Sequence, residues 1–125
     1  FSFYHFTLPL ESGTWANSDD PTYFSAYPQT ILTLQPSNNL SSFEIDMYLI
    51  FKDVNSTVHV YQSANNFSYS YAPVGLECTA VALGVKNGKF YASFTPFTVA
   101  TNQTVNFSLN QMSVSDFKTQ LEALN

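Results

Sequence analysis

Two histidines, His5 and His59, are the side chains of this chain best suited to acid–base or zinc chemistry. No Cys or His stands beside them at zinc-finger spacing, and no Gly-x-Ser-x-Gly turn presents a serine for them to activate. His59 lies in the alternating run of residues 57–61, which predicts a strand residue that faces solvent or a polar partner. We therefore expect neither histidine to be catalytic or to bind zinc.

A pair of carboxylates, Glu44 and Asp46, lies two positions apart on one predicted strand. Strand geometry places such residues about 6.5 Å apart on one face, a separation at which paired carboxylates can hydrolyse glycosides. A glycosidase also needs a deep aromatic cleft, for which a chain of 125 residues has little room. We expect a solvated polar face instead.

Oxygen donors cluster in the sequence Asn-Ser-Asp-Asp, which ends in Asp19 and Asp20. Such a loop can bind calcium when further carboxylate or carbonyl ligands are near, but the same residue types also form Asx turns and caps. The nearby Trp15, Tyr23 and Tyr27 could stack on the apolar face of a sugar, or could belong to the core. Calcium is the one cofactor that the sequence suggests, and a glycan is the matching ligand.

The candidate modification sites point to an extracellular compartment. Asn-x-Ser/Thr sequons begin at Asn39, Asn55, Asn66, Asn102 and Asn106. The chain starts with Phe rather than Met, which is typical of a processed product that has lost a signal peptide. A single cysteine, Cys78, cannot form an internal disulfide, and its alternation with polar neighbours predicts a buried apolar thiol. We expect a secreted or cell-surface glycoprotein.

Charge is scarce along the whole chain. Charged residues make up 10% of the sequence, against roughly 25% in a typical soluble protein, and the net charge is -5 without any arginine. The scattered lysines form no basic patch, so nucleic acid and anionic membranes are not expected partners. No apolar run approaches the roughly 20 residues that span a bilayer, so no transmembrane segment is expected.

Period-2 alternation dominates the hydrophobic pattern and predicts strands. It is clearest at residues 42–51, where the odd-numbered positions 43–51 are apolar. Similar runs occupy residues 57–62, 67–71 and 104–110, and residues 29–35 are also strand-like. Residues 76–85 are apolar on both faces, which indicates a central strand. Asn87-Gly88 predicts a tight hairpin turn, and a loss of phase around Pro96 predicts a bulge or an edge position.

The two ends of the chain differ in character. Residues 1–8 form an aromatic-rich extended segment stopped by Pro9, and residues 11–21 are predicted to be a polar loop. At the other end, residues 113–124 predict a short helix with Ser113 as its cap and Asp116 in its first turn. The apolar stripe of this helix contains Phe117, Leu121 and Leu124.

These elements predict a single all-β domain spanning residues 1–125. Seven or eight short strands with regular turns favour an antiparallel two-sheet β-sandwich of the immunoglobulin-like or transthyretin-like kind, with one short C-terminal helix. An up-and-down barrel is the alternative architecture.

Residues 67–109 resemble the transthyretin-like and carboxypeptidase-regulatory-like modules of secreted proteins in the order of their features. The matching pieces are the strand Phe67-Ser68-Tyr69, then Pro73-Val74-Gly75, the apolar strand at residues 79–84, Phe97-Thr98-Val99, and residues 102–109. The resemblance covers about a third of the chain, and at Glu77 the sequence departs from the aromatic residue common in these modules. It implies a noncatalytic accessory or surface module and carries no site residues.

Three functional hypotheses follow. The first is a structural subunit of a filament or surface layer, which associates with itself or with other surface proteins through strand edges or through residues 1–8, exchanged between chains. The second is a carbohydrate-binding or adhesin module that uses Trp15, Tyr23 and Tyr27, with calcium at Asp19 and Asp20. The third, an enzyme or its accessory domain, would need Glu44 and Asp46 or a histidine in a concave pocket.

Overall fold

The structure is a computed structural model that describes residues 14–17 and 21–124. Its ten strands are β1 (Thr14–Asn17), β2 (Gln29–Pro36), β3 (Glu44–Phe51), β4 (Ser56–Val60), β5 (Gln62–Ser63), β6 (Asn66–Pro73), β7 (Glu77–Lys86), β8 (Lys89–Thr98), β9 (Thr104–Phe107) and β10 (Asn110–Gln111). Helix α1 spans Val114–Glu122. The predictions made for residues 1–8, which include His5, and for Asp19 and Asp20 lie outside the described residues.

The strands form two separate sheets, which confirms the predicted all-β sandwich. The alternative, a closed up-and-down barrel, is not observed. The larger sheet has the order β1-β4-β3-β7-β8-β10, and the smaller has the order β5-β6-β2-β9. Most neighbours are antiparallel, but β1 with β4 and β2 with β9 pair in parallel. The structure has more strands than the expected seven or eight. The additional strands include β1, β5 and β10, which are only two to four residues long.

The polar loop predicted for residues 11–21 is wrong at Thr14–Asn17. These four residues form β1, in which Trp15 pairs with Thr57 of β4. A strand of four residues with no apolar alternation carries no periodic signal. Its formation depends on the adjacent edge of β4, which offers unpaired backbone groups.

The main core fills the space between the two sheets. Met47, Leu49 and Phe51 of β3 are fully buried there, as the alternation of residues 42–51 predicts. Leu32 and Leu34 of β2 meet them from the smaller sheet. Burial of this many apolar side chains is the principal source of stability in a domain of this size.

A second, smaller core lies on the outer face of the larger sheet, beneath α1. Val81 and Leu83 of β7 pack there with Phe117 and Leu121 of the helix. Strand β7 is thus central and buried on both faces, as predicted. The helix begins where expected, because the Ser113 hydroxyl accepts a hydrogen bond of 3.0 Å from the Asp116 N–H. Among the described residues, no helix has the length and apolar character needed to cross a membrane.

The hairpin between β7 and β8 has the predicted turn, with Asn87 and Gly88 at φ of 52° and 73°. Of the two alternatives predicted near Pro96, the bulge is not observed, since the register between the two strands runs without a shift past the Thr79–Pro96 pair. The edge position is confirmed for the described residues, because β10 pairs with β8 only at Tyr91 and Ala92. The change of phase reflects the two cores that β8 contacts. Phe90 contacts the core beneath the helix, whereas Phe97 packs on the core between the sheets.

Candidate functional site

Strand β9 lies at the edge of the smaller sheet among the residues that the structure describes. Within the described part of the chain it pairs only with β2, and the carbonyl of Phe107 accepts a hydrogen bond of 2.9 Å from the Ser37 N–H. Backbone groups of successive strand residues point to opposite sides, so the groups of Thr104 and Asn106 face away from β2. The edge therefore presents two N–H groups and two carbonyls to an incoming strand.

Strand β8 has a second edge that the described strands cover only in part, and a proline partly protects it. The Phe90 carbonyl accepts a hydrogen bond of 3.1 Å from the Met112 N–H, just past β10, so the backbone of Phe90 faces away from β7. Strand β10 covers only two residues of β8. By alternation Phe94 and Pro96 also face outward, and proline has no N–H to donate. The edge of β9 is therefore the better acceptor.

A groove of about 440 Å³ lies between these two edges. Its lining consists of Ser37, Ala92, Ser93, Phe94, Thr95, Asn106, Phe107, Ser108, Asn110, Met112 and Gln120. Hydroxyl and amide groups surround apolar surface, and no lining residue is charged. No Asp, Glu, Lys or Arg occurs anywhere between Lys89 and Asp116 in the sequence. We call this surface, with the edges of β8 and β9, the acceptor groove.

The other end of the smaller sheet is less suited to strand addition. Strand β5 is only two residues long. Beyond it, the ladder between β6 and β2 shifts register between Thr30 and Leu32, where the side chain of Ile31 is 52% exposed. Short edge strands and bulges discourage pairing with another chain. Of the two edges of the smaller sheet, the uncharged and regular one is therefore that of β9.

The outer face of β3 and β4 carries a polar and aromatic cluster around His59. Its Nε2 lies 3.2 Å from Asp46 Oδ1, and its ring stacks on Tyr48 with centroids 4.9 Å apart. The exposed ring of Tyr61 meets the imidazole edge-on at 4.6 Å. Burial, with help from Asp46 and Tyr61, raises the pKa of Tyr48 to about 12. The polar partner expected for His59 is confirmed as Asp46.

This cluster lies on the outer face of the larger sheet, where Asp46, Tyr48 and His59 are partly buried. Neither of the two depressions described here is lined by Glu44, Asp46 or His59. Glu44 is exposed at the start of β3, two residues before Asp46. Glu44 is thus solvated as expected, whereas Asp46 is largely buried and its Oδ1 contacts the imidazole of His59.

Cys78 is buried, as expected, at the floor of the second depression. This depression of about 420 Å³ also contains Lys52, Asp53 and Glu77 at its rim. Burial raises the pKa of the Cys78 thiol well above its ordinary value. The thiol therefore stays protonated and unreactive at neutral pH.

The proposed sugar-stacking residues are only partly described. Tyr23 and Tyr27 are half-buried, and both rings contact Phe24 edge-on, which joins them to the main core. For Trp15 the structure gives its place in β1 and its pairing with Thr57. A glycan platform at these residues stays a prediction, as does calcium at Asp19 and Asp20.

The sequons occupy turns and edges. Asn39, Asn55, Asn102 and Asn106 are exposed and Asn66 is half-buried. The Asn39 side chain accepts a hydrogen bond of 3.0 Å from the Ser41 N–H, and Asn55 and Asn102 adopt left-handed backbone conformations. Asn106 lies on the edge of β9 and lines the acceptor groove, so a glycan there would compete with an added strand. Modification at all five positions stays a prediction.

Comparison with protein families, with curated proteins and with solved structures found no match to this chain. The resemblance of residues 67–109 to transthyretin-like modules therefore stays a prediction.

The acceptor groove was not located by sequence reasoning, which placed assembly at strand edges in general or at residues 1–8. The long uncharged stretch between Lys89 and Asp116 was the available signal. It identifies an unprotected region, but only the pairing of β9 with β2 shows that an edge lies there.

Proposed function

We propose that this chain is a noncatalytic structural module that assembles with neighbouring subunits by strand addition at the acceptor groove. The single observation that carries the proposal is the open edge of β9, whose Thr104 and Asn106 backbone groups have no partner strand among the described residues. Strand addition supplies main-chain hydrogen bonds to such an edge, while pockets beside it receive side chains. The groove between β8 and β9 provides those pockets.

The distribution of charge supports this use of the edge. Soluble proteins commonly protect an open edge with lysine, inward-pointing charge, proline or a bulge. Here Pro96 protects β8 and a register shift interrupts β6, but β9 carries neither proline nor charge. Within the smaller sheet, the edge that carries neither proline nor charge is suited to a specific partner.

The outer face of the smaller sheet supports an extracellular or cell-surface setting. Thr33 lies beside Ser68 and Thr104 on this face, and Gln35 lies beside Asn106. Hydroxyls and amides thus take the place of charged side chains, as the composition predicted. With exposed sequons and no disulfide requirement, such a surface suits a glycosylated filament or surface-layer subunit.

The proposal is tested by the solution mass of the purified protein, measured by light scattering over a range of concentrations and accompanied by negative-stain imaging. We expect multimers or filaments for the native chain and loss of assembly for Thr104→Lys, which adds charge at the open edge. Ser70→Lys is the matched control, because it adds the same charge to an exposed position of β6 in the same sheet. A native protein that stays monomeric at every concentration, or equal effects of the two variants, would overturn the proposal.

A further inference from the structure

We propose that the strand added at the acceptor groove is the segment Phe1–Leu8 of a second copy of this chain, so that assembly runs head to tail. This inference rests on the proposed function and names the partner for that site. Its support comes from the chemistry of the groove, from the length of the chain before β1, and from the position of β1 in the larger sheet.

The chemistry of the segment matches that of the groove. Phe1–Leu8 contains four aromatic residues and no Lys, Arg, Asp or Glu, and the first charged residue of the chain is Glu11. The groove lining is uncharged and includes Phe94, Phe107 and Met112. Burying this segment there removes apolar surface from water without desolvating a charge.

The length of the connection excludes the groove of the same molecule. From Leu8 to Thr14 an extended chain reaches at most about 21 Å, at roughly 3.5 Å for each residue. Strand β10, whose Asn110 lines the groove, lies five strand spacings from β1 in the sheet order, or about 24 Å. This separation exceeds the reach of the connection, so we assign the segment to a neighbour's groove.

The position of the two surfaces sets the symmetry of the assembly. The donor segment leaves from β1 at one end of the larger sheet, and the acceptor groove lies at the opposite end. Each contact therefore joins two different surfaces, and such heterologous contacts repeat into an open filament unless the rotation closes a ring. A pairing of β9 with β9 would instead give a closed two-fold dimer.

A mixing experiment tests the inference. One chain lacks residues 1–8 and keeps its groove, while the other carries Asn106→Pro and keeps its donor segment. The proline removes the outward-facing N–H of Asn106 and leaves the ladder to β2 intact, because the N–H groups of Val105 and Phe107 face β2. Asn106→Thr is the matched control, since it removes the same sequon but keeps the N–H.

We expect each of the two chains alone to be monomeric and their equimolar mixture to form a dimer of twice the monomer mass that grows no further. Asn106→Thr is expected to assemble like the native chain. Thermal melting confirms that each variant is folded, and Thr104→Lys takes the place of Asn106→Pro if the proline variant does not fold.

The failures of the two proposals differ. If the native chain forms multimers but the mixture stays monomeric, or if the chain without residues 1–8 still assembles, the donor segment is wrong and assembly through the groove stands. If the native chain never assembles, both proposals fail together.

Discussion

The outer face of the larger sheet and the β8–β9 side of the sandwich differ in whether a described element covers them. Over β7 and β8 the helix seals the sheet, and Phe117 and Leu121 are only 0% and 2% exposed. On the β8–β9 side no described element provides such cover. Val105, at 8%, is the most exposed of the buried main-core residues.

The difference separates two kinds of interaction. Under the helix, side chains remove apolar surface from water, and the gain belongs to the stability of the single chain. Along β9, the outward-facing backbone groups can form hydrogen bonds with water, so leaving them without a protein partner costs little free energy. They form hydrogen bonds with protein groups only when another strand is added. Changes under the helix should therefore alter folding, whereas changes along β9 should alter assembly.

The largest effect is expected for Phe117→Ala in α1. This ring is fully buried and contacts Phe90 with centroids 5.2 Å apart. Removing it should lower the free energy of unfolding by about 3–5 kcal/mol, the range for buried Phe→Ala changes. Denaturant unfolding measures this loss, with the exposed Lys118→Ala as control. A loss below about 1 kcal/mol would mean that the helix does not seal the sheet.

A smaller effect on the same region is expected for Ser113→Ala. The variant loses the hydroxyl that accepts from the Asp116 N–H, which should cost about 1 kcal/mol of stability. Ser115→Ala, two residues later and also exposed, keeps the cap. Equal unfolding midpoints for the two variants would contradict the capping role.

A further prediction concerns the stability of the protein at alkaline pH. It depends on Tyr48, which packs against the second core at the edge of the helix-covered region. Its pKa is raised from 10.0 to about 12, mainly by burial, so the folded state retains a proton that the unfolded state releases. Stability should therefore fall as pH rises from about 10 to about 12. Urea unfolding of Tyr48→Phe should show a shallower fall over this window, and an unchanged slope would count against the burial of the hydroxyl.

The smallest effect on stability is expected along β9. Thr104→Lys changes an exposed side chain on the open edge and should shift the free energy of unfolding by less than about 0.5 kcal/mol. Unfolding is measured below the concentration at which the native chain assembles. A large destabilisation would show that the edge contributes to folding and would remove the contrast between the two regions.

Much of the fold could be predicted because its signals are local. Alternation located β3, the Asn87-Gly88 pair located the hairpin turn, and Ser113 located the start of the helix. Each signal lies within one element and needs no knowledge of its neighbours.

The parts that could not be predicted depend on neighbours in space. Strand β1 forms because β4 offers an edge, and the change of phase at Pro96 reflects which face of β8 is covered. The open edge of β9 follows from its parallel pairing with β2, which no short stretch of sequence records. For the same reason the histidine cluster could be anticipated only as a polar contact, without Asp46 as its partner.

The parallel ladder of β2 and β9 also limits the order in which the chain can fold. Asn38, just after β2, bonds to the backbone of Leu109, 71 positions later. Contacts of such separation carry a large loop-closure cost and form slowly. The smaller sheet cannot be completed until nearly the whole chain is available, so the acceptor edge should be the last part of the sandwich to form. A chain emerging from synthesis would then be unable to capture a neighbouring strand too early.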